Sequence, residues 1–443
     1  MRKKAPSPRL RVVSVQSPQS MEVSMKQDER HLAPDDIFVG IDLATRQHQV
    51  VVLDLEGRRK TSFKIPHSRD GLRELVQQCN SPGLRQGVGR AHFGFEATGH
   101  IWEAVAAYLE ERKIDYQVIN PFATFRVREA RQMGRDKRDL TDAEEIAHLL
   151  RTGVVTQCQL LPPKYMQLRR AWGEYYRLRH ERARLKTLLA HQLYGVFPEI
   201  VGEWKEVAAP GCLAVLRTGL APREIAKLTQ PDFIRIVHEH RRGRRVWRFK
   251  IEQLWEKACR TVALPHGQEA SMREVTRIVH RMDFVSEQLD QVAIELRAQL
   301  ETFNEAKYLS TLPGIGWTTV AALIAEIGPF DRYRHGRQLV KLAGLQPSRR
   351  ESGESAGRTP ITKRGRAQLR AIVYMATLSS IQHNPRIKAH YERLQQRPVR
   401  PLTKMHAFGA CMTKLLHYAF AVVKNREAFD IDHIWKEEQQ IAA

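Results

Sequence analysis

A chain of 443 residues is longer than one compact core can enclose, so two or three domains are expected. Its 72 Lys plus Arg against 49 Asp plus Glu leave a formal net charge of +23, which attracts polyanions, nucleic acid foremost. No apolar run reaches the roughly 20 residues that span a bilayer, and the N-terminal MRKKAPSPRLRVVSVQSPQS lacks the apolar stretch of a secretory leader, so no membrane partner and a cytoplasmic location are expected. The five cysteines are scattered and form no CxxC pair, which argues against a disulfide framework or a structural zinc site.

Residues 1–35, rich in Ser, Pro, Arg and Lys without a sustained period, read as a disordered basic arm. IFVGIDL, HQVVVLD and TSFKI then read as three strands in a meander, with Glu56 and Gly57 in a turn. A helix (DGLRELVQQC), a strand (HFGFEAT), a helix (HIWEAVAAYLEER), a strand (YQVIN) and a further helical stretch follow. Three consecutive strands and then alternating helix and strand predict an α/β domain with a mixed sheet over residues 36–155.

Residues 160–303 read as helical. Val275, Ile278, Met282, Val285, Leu289, Val292 and Leu296 alternate by three and four, the period of a coiled-coil seam that pairs either within the chain or with another copy. A basic insert at 200–265 contains HEHRRGRRVWRFK, in which Arg241, Arg242, Arg244 and Arg245 stand beside Trp247 and Phe249. That mixture suits phosphates with stacked bases, and a solvated basic face is its plainer reading.

A mostly helical C-terminal domain is expected over 304–430. LSTLPGIGWTTVAALIAEI reads as a helix-hairpin-helix whose Gly314 and Gly316 expose backbone N–H groups to a phosphate, or as a tight turn between core helices. The following loop, GLQPSRRESGESAGRTPITKRGRAQLR, offers Arg349, Arg350, Arg358, Lys363 and Arg364 to a nucleic-acid backbone that its small residues let approach.

Against this basic background DKRDLTDAEE gathers carboxylates, and helical spacing sets Asp139 and Asp142 on one face. Asp42 ends the first strand inside an apolar run, where a charge is expensive unless ligated. Glu96 ends the strand expected beside it. Four hard oxygen donors converging at one sheet edge are what a magnesium-dependent phosphoryl transfer requires; scattered, solvated surface acids are the alternative reading.

FVGIDLAT, FEATG, INPFATFRVREARQMGRDKRDLTDAEEIA, YRLRHERARLK, LSTLPGIGWTTVAALIAEIG and ITKRGRAQLR resemble, in the same order, the blocks of the DEDD-type insertion-sequence transposases. The resemblance runs from about residue 37 to 425. It implies a resolvase-type, ribonuclease-H-like fold for the first domain and a serine-containing transposase domain at the C-terminus. It further implies that Asp42, Glu96, Asp139 and Asp142 hold Mg²⁺ or Mn²⁺, and that Ser352 attacks a DNA phosphate to form a 5′-phosphoserine link. In the family the serine and the carboxylates come from different subunits, so a dimer or tetramer follows. A structured bridge RNA pairing with donor and target DNA, in the bacterial cytoplasm at the nucleoid, follows too. Two departures stand out: Glu351 where the family often has a second serine, and Arg366 where it often has Asn. Ser348 and Ser355 are alternative nucleophiles in the same loop. A junction endonuclease using water, or a non-catalytic nucleic-acid scaffold, would use the same basic surface.

Overall fold

The strand IFVGID (β1, Ile37–Asp42) is buried except at its last residue, the pattern of a central strand covered on both faces. The computed structural model describes residues 32–84, 89–97, 99–119, 124, 139–153, 160–204, 206–243, 245–263, 266–348, 351–352, 355–356 and 360–431. Most of the basic arm, together with Arg244, Arg349, Arg350 and Arg358, lies outside them. The described chain divides into two compact units at Leu160 and Leu161.

In the first unit, β2 (Gln47–Leu53) pairs antiparallel with β1, and β3 (Arg59–Pro66) antiparallel with β2. After helix α1 (Arg69–Cys79) the chain returns as β4 (Ala91–Glu96), parallel to β1 on its free side. Helix α2 (Ile101–Glu111) leads to β5 (Tyr116–Ile119), parallel to β4. The result is a mixed five-stranded sheet of order β3-β2-β1-β4-β5, as the rhythm of the sequence predicts, and its outline is compatible with a ribonuclease-H-like domain.

Alternation along the strands divides the side chains between two cores. Val39, Ile41, Val50 and Phe95 face α1 and α2, whereas Phe38, Val51 and Leu53 face α3 (Asp139–Thr152) through Ala143, Ile146, Ala147 and Leu150. Gly40 and Gly94 lie on the α3 face, where Gly40 lets the helix backbone settle onto the sheet and Gly94 leaves room for the Leu150 side chain.

The second unit is helical. Helix α4 (Pro163–Val196) and helix α10 (Gln268–Leu300) run side by side and antiparallel, with Arg281 against Glu181 at 3.7 Å and Gln192 bonded to Glu274 at 3.3 Å. Leu185, Leu189 and Leu193 share a core with Val275, Ile278, Met282 and Val285. The heptad seam of α10 is thus filled inside the chain, against α4 and the short helices between them. Those are α5 (Pro198–Glu203), α6 (Pro210–Arg217), α7 (Pro222–Ile225), α8 (Gln230–Glu239) and α9 (Arg248–Ala258).

The other ends of the two long helices, at Leu168, Trp172 and Leu296, enter the core of the C-terminal helices. These are α11 (Asn304–Leu309), α12 (Trp317–Ile327), α13 (Gly336–Leu342), α14 (Ala367–His383), α15 (Pro385–Gln395) and α16 (Lys404–Asn425). Between α13 and α14 two short strands, β6 (Glu351–Ser352) and β7 (Ser355–Ala356), pair antiparallel. Cys79, Cys212 and Cys411 are buried, and Cys259 is exposed. Burial pushes the Cys212 thiol up to about 12.

Candidate active site

The parallel register of β1 and β4 ends at Ile41 opposite Phe95, so Asp42 and Glu96 are the next residues on neighbouring strands. Strand alternation puts both on the face that carries Phe38, Gly40 and Gly94, the face covered by α3. Both side chains are half-buried.

The direction of α3 is set at its far end. Arg151 reaches the Leu55 carbonyl at 3.4 Å, and Leu55 follows β2, whose last residue Leu53 pairs near the start of β1 at Phe38. The first turn of α3, with Asp139 and Asp142, therefore lies toward the carboxyl ends of β1 and β4, the rim that holds Asp42 and Glu96. A helix N-terminus at that rim also adds partial positive charge beside the acids. Asp142 is buried at 9% exposure. Asp139 opens the helix, and its side chain lies outside the described ones.

Two neighbours at this rim escape a search restricted to paired acids. Gln49, opposite Asp42 in the β1–β2 register, is buried and donates its amide to the carbonyls of Val50 and Phe63. Glu145, three residues after Asp142, is buried at 4% exposure. The D-x-x-D-x-x-E spacing was the available signal, because acids three apart on a helix share a face, and Asp142 and Glu145 are both buried.

The loop after Asp42 is pinned by two histidines. His48 Nδ1 accepts from the Ala44 amide at 3.2 Å, its Nε2 meets His67 Nδ1 at 2.9 Å, and the His67 amide donates to the Arg46 carbonyl at 2.9 Å. Burial, with the charge of His67 second, holds the His48 imidazole down at about 4.

Among the described residues no three of His, Cys, Asp and Glu stand close enough together to hold a metal ion. The rim acids are nonetheless all oxygen donors, the chemistry a hard divalent cation selects over zinc or copper.

In the second unit, the feet of the serine-bearing segment are tied by Ser348 donating to the Pro360 carbonyl at 2.7 Å and by Thr362 donating to that of Gln346 at 2.8 Å. Ser352 pairs with Ser355 in the β6–β7 ladder, and the side chains of both are outside the described ones. Lys363 and Arg364 are exposed at the segment's exit. Arg366, the departure noted in the sequence, donates to the Glu326 carbonyl at 2.8 Å and so caps the end of α12 together with Arg169.

The glycines of the expected helix-hairpin-helix differ. Gly314 has φ of +85° and packs where a Cβ would press on the Ser379 and Ser380 backbone at 3.0 Å, a steric need. Gly316 is exposed at the N-terminus of α12.

In the basic insert, Arg242 is engaged by Glu287 at 3.0 Å and Asp283 at 3.4 Å. Arg241 and Arg245 are exposed. Arg245 lies 4.5 Å from the Trp247 ring, and the exposed Trp247 and Phe249 rings stand 6.3 Å apart.

Comparison with known proteins bears on both units. Residues 39–198 match the DEDD family of the IS110 group, described as Transposase, and residues 306–392 match the Transposase IS116/IS110/IS902 family. The chain is 23% identical over 348 residues to the insertion element IS116 uncharacterized 44.8 kDa protein of Streptomyces clavuligerus, covering 78% of this chain and 85% of the relative. It is 24% identical over 373 residues to the mini-circle putative transposase for IS117 of Streptomyces coelicolor, covering 81% and 88%. Over 155 residues, 34% of this chain and 47% of the relative, it is 29% identical to the pilin gene-inverting protein of Moraxella bovis. With two matches that together span more than half its length and relatives aligned over most of theirs, the chain belongs to the DEDD-type insertion-sequence transposases, enzymes of DNA recombination.

Proposed function

We propose that this transposase is an RNA-guided recombinase that cuts and rejoins donor and target DNA through a carboxylate-held divalent cation and a serine nucleophile. The observation that carries the reading is the side-by-side position of Asp42 and Glu96 on parallel strands, on the face toward which α3 brings Asp142.

Asp42, Glu96, Asp139 and Asp142 would hold Mg²⁺ or Mn²⁺, which when bound supplies Lewis acidity toward a phosphoryl oxygen. The Ser352 hydroxyl forms a bond from its oxygen to the phosphorus as the bond to the 3′ oxygen breaks. The serine proton ends on the released 3′ hydroxyl. Attack of another strand's 3′ hydroxyl on the 5′-phosphoserine reverses these bonds and rejoins the DNA. Energy is conserved in the ester throughout, which suits strand exchange better than hydrolysis does.

Sequence choice would rest with a structured bridge RNA pairing to both DNAs, and the basic surface would bind its backbone without reading bases. A dimer or tetramer would bring the catalytic groups of different copies together.

The test uses the purified full-length protein with the RNA that copurifies and matched donor and target DNA. Loss of strand exchange in both Ser352→Ala and Asp42→Asn, with a protein-linked 5′ end trapped in the wild type, is expected. Cleavage that survives Ser352→Ala but not Asp42→Asn would replace the recombinase with a water-using nuclease. Copurified material without a structured RNA would remove the guide.

A further inference from the structure

In the second unit, α13, α14, α15 and α16 enclose a cleft of about 1630 Å³. Its wall includes Gln346, Pro347, Pro360 and Ile361, the feet of the serine-bearing segment. We infer that this cleft seats a short stretch of unpaired DNA. The inference deepens the recombinase reading and rests on it for the choice of DNA; the binding itself rests on charge, shape and stacking.

Charge comes first. Arg337, Arg370, Arg386, Arg393, Arg397 and Lys414 line the cleft, and no Asp or Glu is among the described residues of its wall. Arg370 is held by the carbonyls of Ala343 at 2.9 Å and Lys363 at 3.3 Å, neutral acceptors that orient a guanidinium without cancelling its charge, and Arg393 lies 3.1 Å from the His390 ring nitrogen. Among the described residues no carboxylate forms an ion pair with Arg337, Arg370, Arg393 or Arg397. Gathering these four guanidinium groups on one concave wall favours a polyanion, and a phosphate chain supplies one.

The floor is apolar and aromatic. Tyr374 packs against Phe408 with ring centroids 4.7 Å apart and stays 38% exposed, while Met375 and Met405 are 63% and 65% exposed. A ring backed by a second ring is a firm platform for a base, and flexible methionines can fill around it. Paired bases hide their faces in the duplex, so the platform serves an unpaired strand. The volume exceeds the roughly 300–1,000 Å³ of small-molecule pockets, which favours several nucleotides over a lone metabolite.

The experiment measures fluorescence anisotropy of a labelled oligo(dT) with full-length protein stripped of nucleic acid at high salt. Duplex DNA and oligo(U) serve as comparison probes. Tyr374→Ala should weaken oligo(dT) binding roughly tenfold, and Tyr374→Phe should restore it, since stacking survives. Arg393→Gln with Arg397→Gln should flatten the salt dependence by about 0.7 in slope per contact removed. Unchanged affinity and slope in these variants would overturn the inference. Equal losses for duplex, or tighter binding of oligo(U) through the same residues, would overturn it as well. A Tyr374→Ala protein that unfolds gives no false support, because the Phe variant and the double Gln variant must then carry the result. Strand exchange is scored in parallel. Exchange that persists in Ser352→Ala while the cleft variants still bind poorly would sink the recombinase reading and leave the cleft standing.

Discussion

Gly40, in the middle of β1, lies so close to Ala147 of α3 that a Cβ would stand 2.5 Å from the Ala147 amide nitrogen and overlap the Ala143 carbonyl as well. The helix that carries Asp139 and Asp142 is seated on bare backbone. Gly40→Ala must push α3 away, because helix backbone cannot yield as a side chain can. A loss of roughly 1–3 kcal/mol, the cost of overpacking a filled core, is expected. Gly94→Ala would meet first the Leu150 side chain, which can rotate, and should cost less. Thermal unfolding of the two variants checks the order; a Gly40→Ala protein as stable as wild type would show that α3 sits less tightly than this contact requires.

The acids of α3 should separate by role. Asp142→Asn keeps the shape and removes a donor from the proposed cation site, so strand cleavage should fall by at least about 100-fold, as when a preorganised charge-stabilising group is lost. Glu145→Gln, one turn further into the helix, should cost about 10- to 100-fold if it orients its neighbours, the range for groups behind metal ligands. Cleavage rates across a magnesium titration distinguish the two, since a lost donor also raises the metal concentration needed. Excess chelator should stop cleavage yet spare RNA binding.

Much of this was legible in the chain, for definite reasons. The strands announce themselves because β1 and β2 are apolar, Val- and Ile-bearing runs bounded by turns, and Asp42 and Glu96 because each ends an apolar stretch, IFVGI in β1 and FGF in β4. The seam of α10 was visible as a period, but a period does not name its partner. Only the packing shows Ile278 and Met282 met by Leu185 and Leu189 of the same chain. Arg242 was indistinguishable from Arg245 in a basic run, because the carboxylates that engage it, Asp283 and Glu287, lie some forty residues away. The cationic cleft was invisible for the same reason: its wall is drawn from α13 to α16, each contributing one or two basic residues that look like ordinary surface.

Those two arginines make a contrast in the middle region. Asp283 is nearly buried and takes a two-pronged bond from Arg217 at 2.6 and 2.8 Å, with Arg242 at its edge. Arg217→Met should cost about 3–5 kcal/mol, since it strands a buried carboxylate, and adding Asp283→Leu should return part of that loss. Arg245→Ala should leave the unfolding midpoint unchanged but lower the salt slope of RNA binding by about one. Denaturant melts and binding titrations at several salt concentrations read the two effects apart, and an Arg242→Ala variant should follow the first pattern more than the second.

The histidine pair beneath the Asp42 loop gives the first unit a pH dependence with a definite sign. In the folded chain His48 holds its proton only near pH 4, because burial and the neighbouring His67 disfavour its charge, while an unfolded histidine protonates near its ordinary 6.5. Between those values the unfolded state binds the extra proton, so stability is full above about 6.5, declines as pH falls, and has lost this contribution below about 4. A protonated His48 also cannot accept the Ala44 amide, which would leave that N–H without its bond and loosen the loop that follows Asp42. His48→Gln keeps an acceptor and cannot titrate. Its unfolding midpoint should therefore change less than that of the wild type between pH 6.5 and 4, with the other histidines contributing equally to both proteins. Parallel curves for the two would mean that His48 protonates as easily in the folded chain as outside it, and that the Asp42 loop is held by something else.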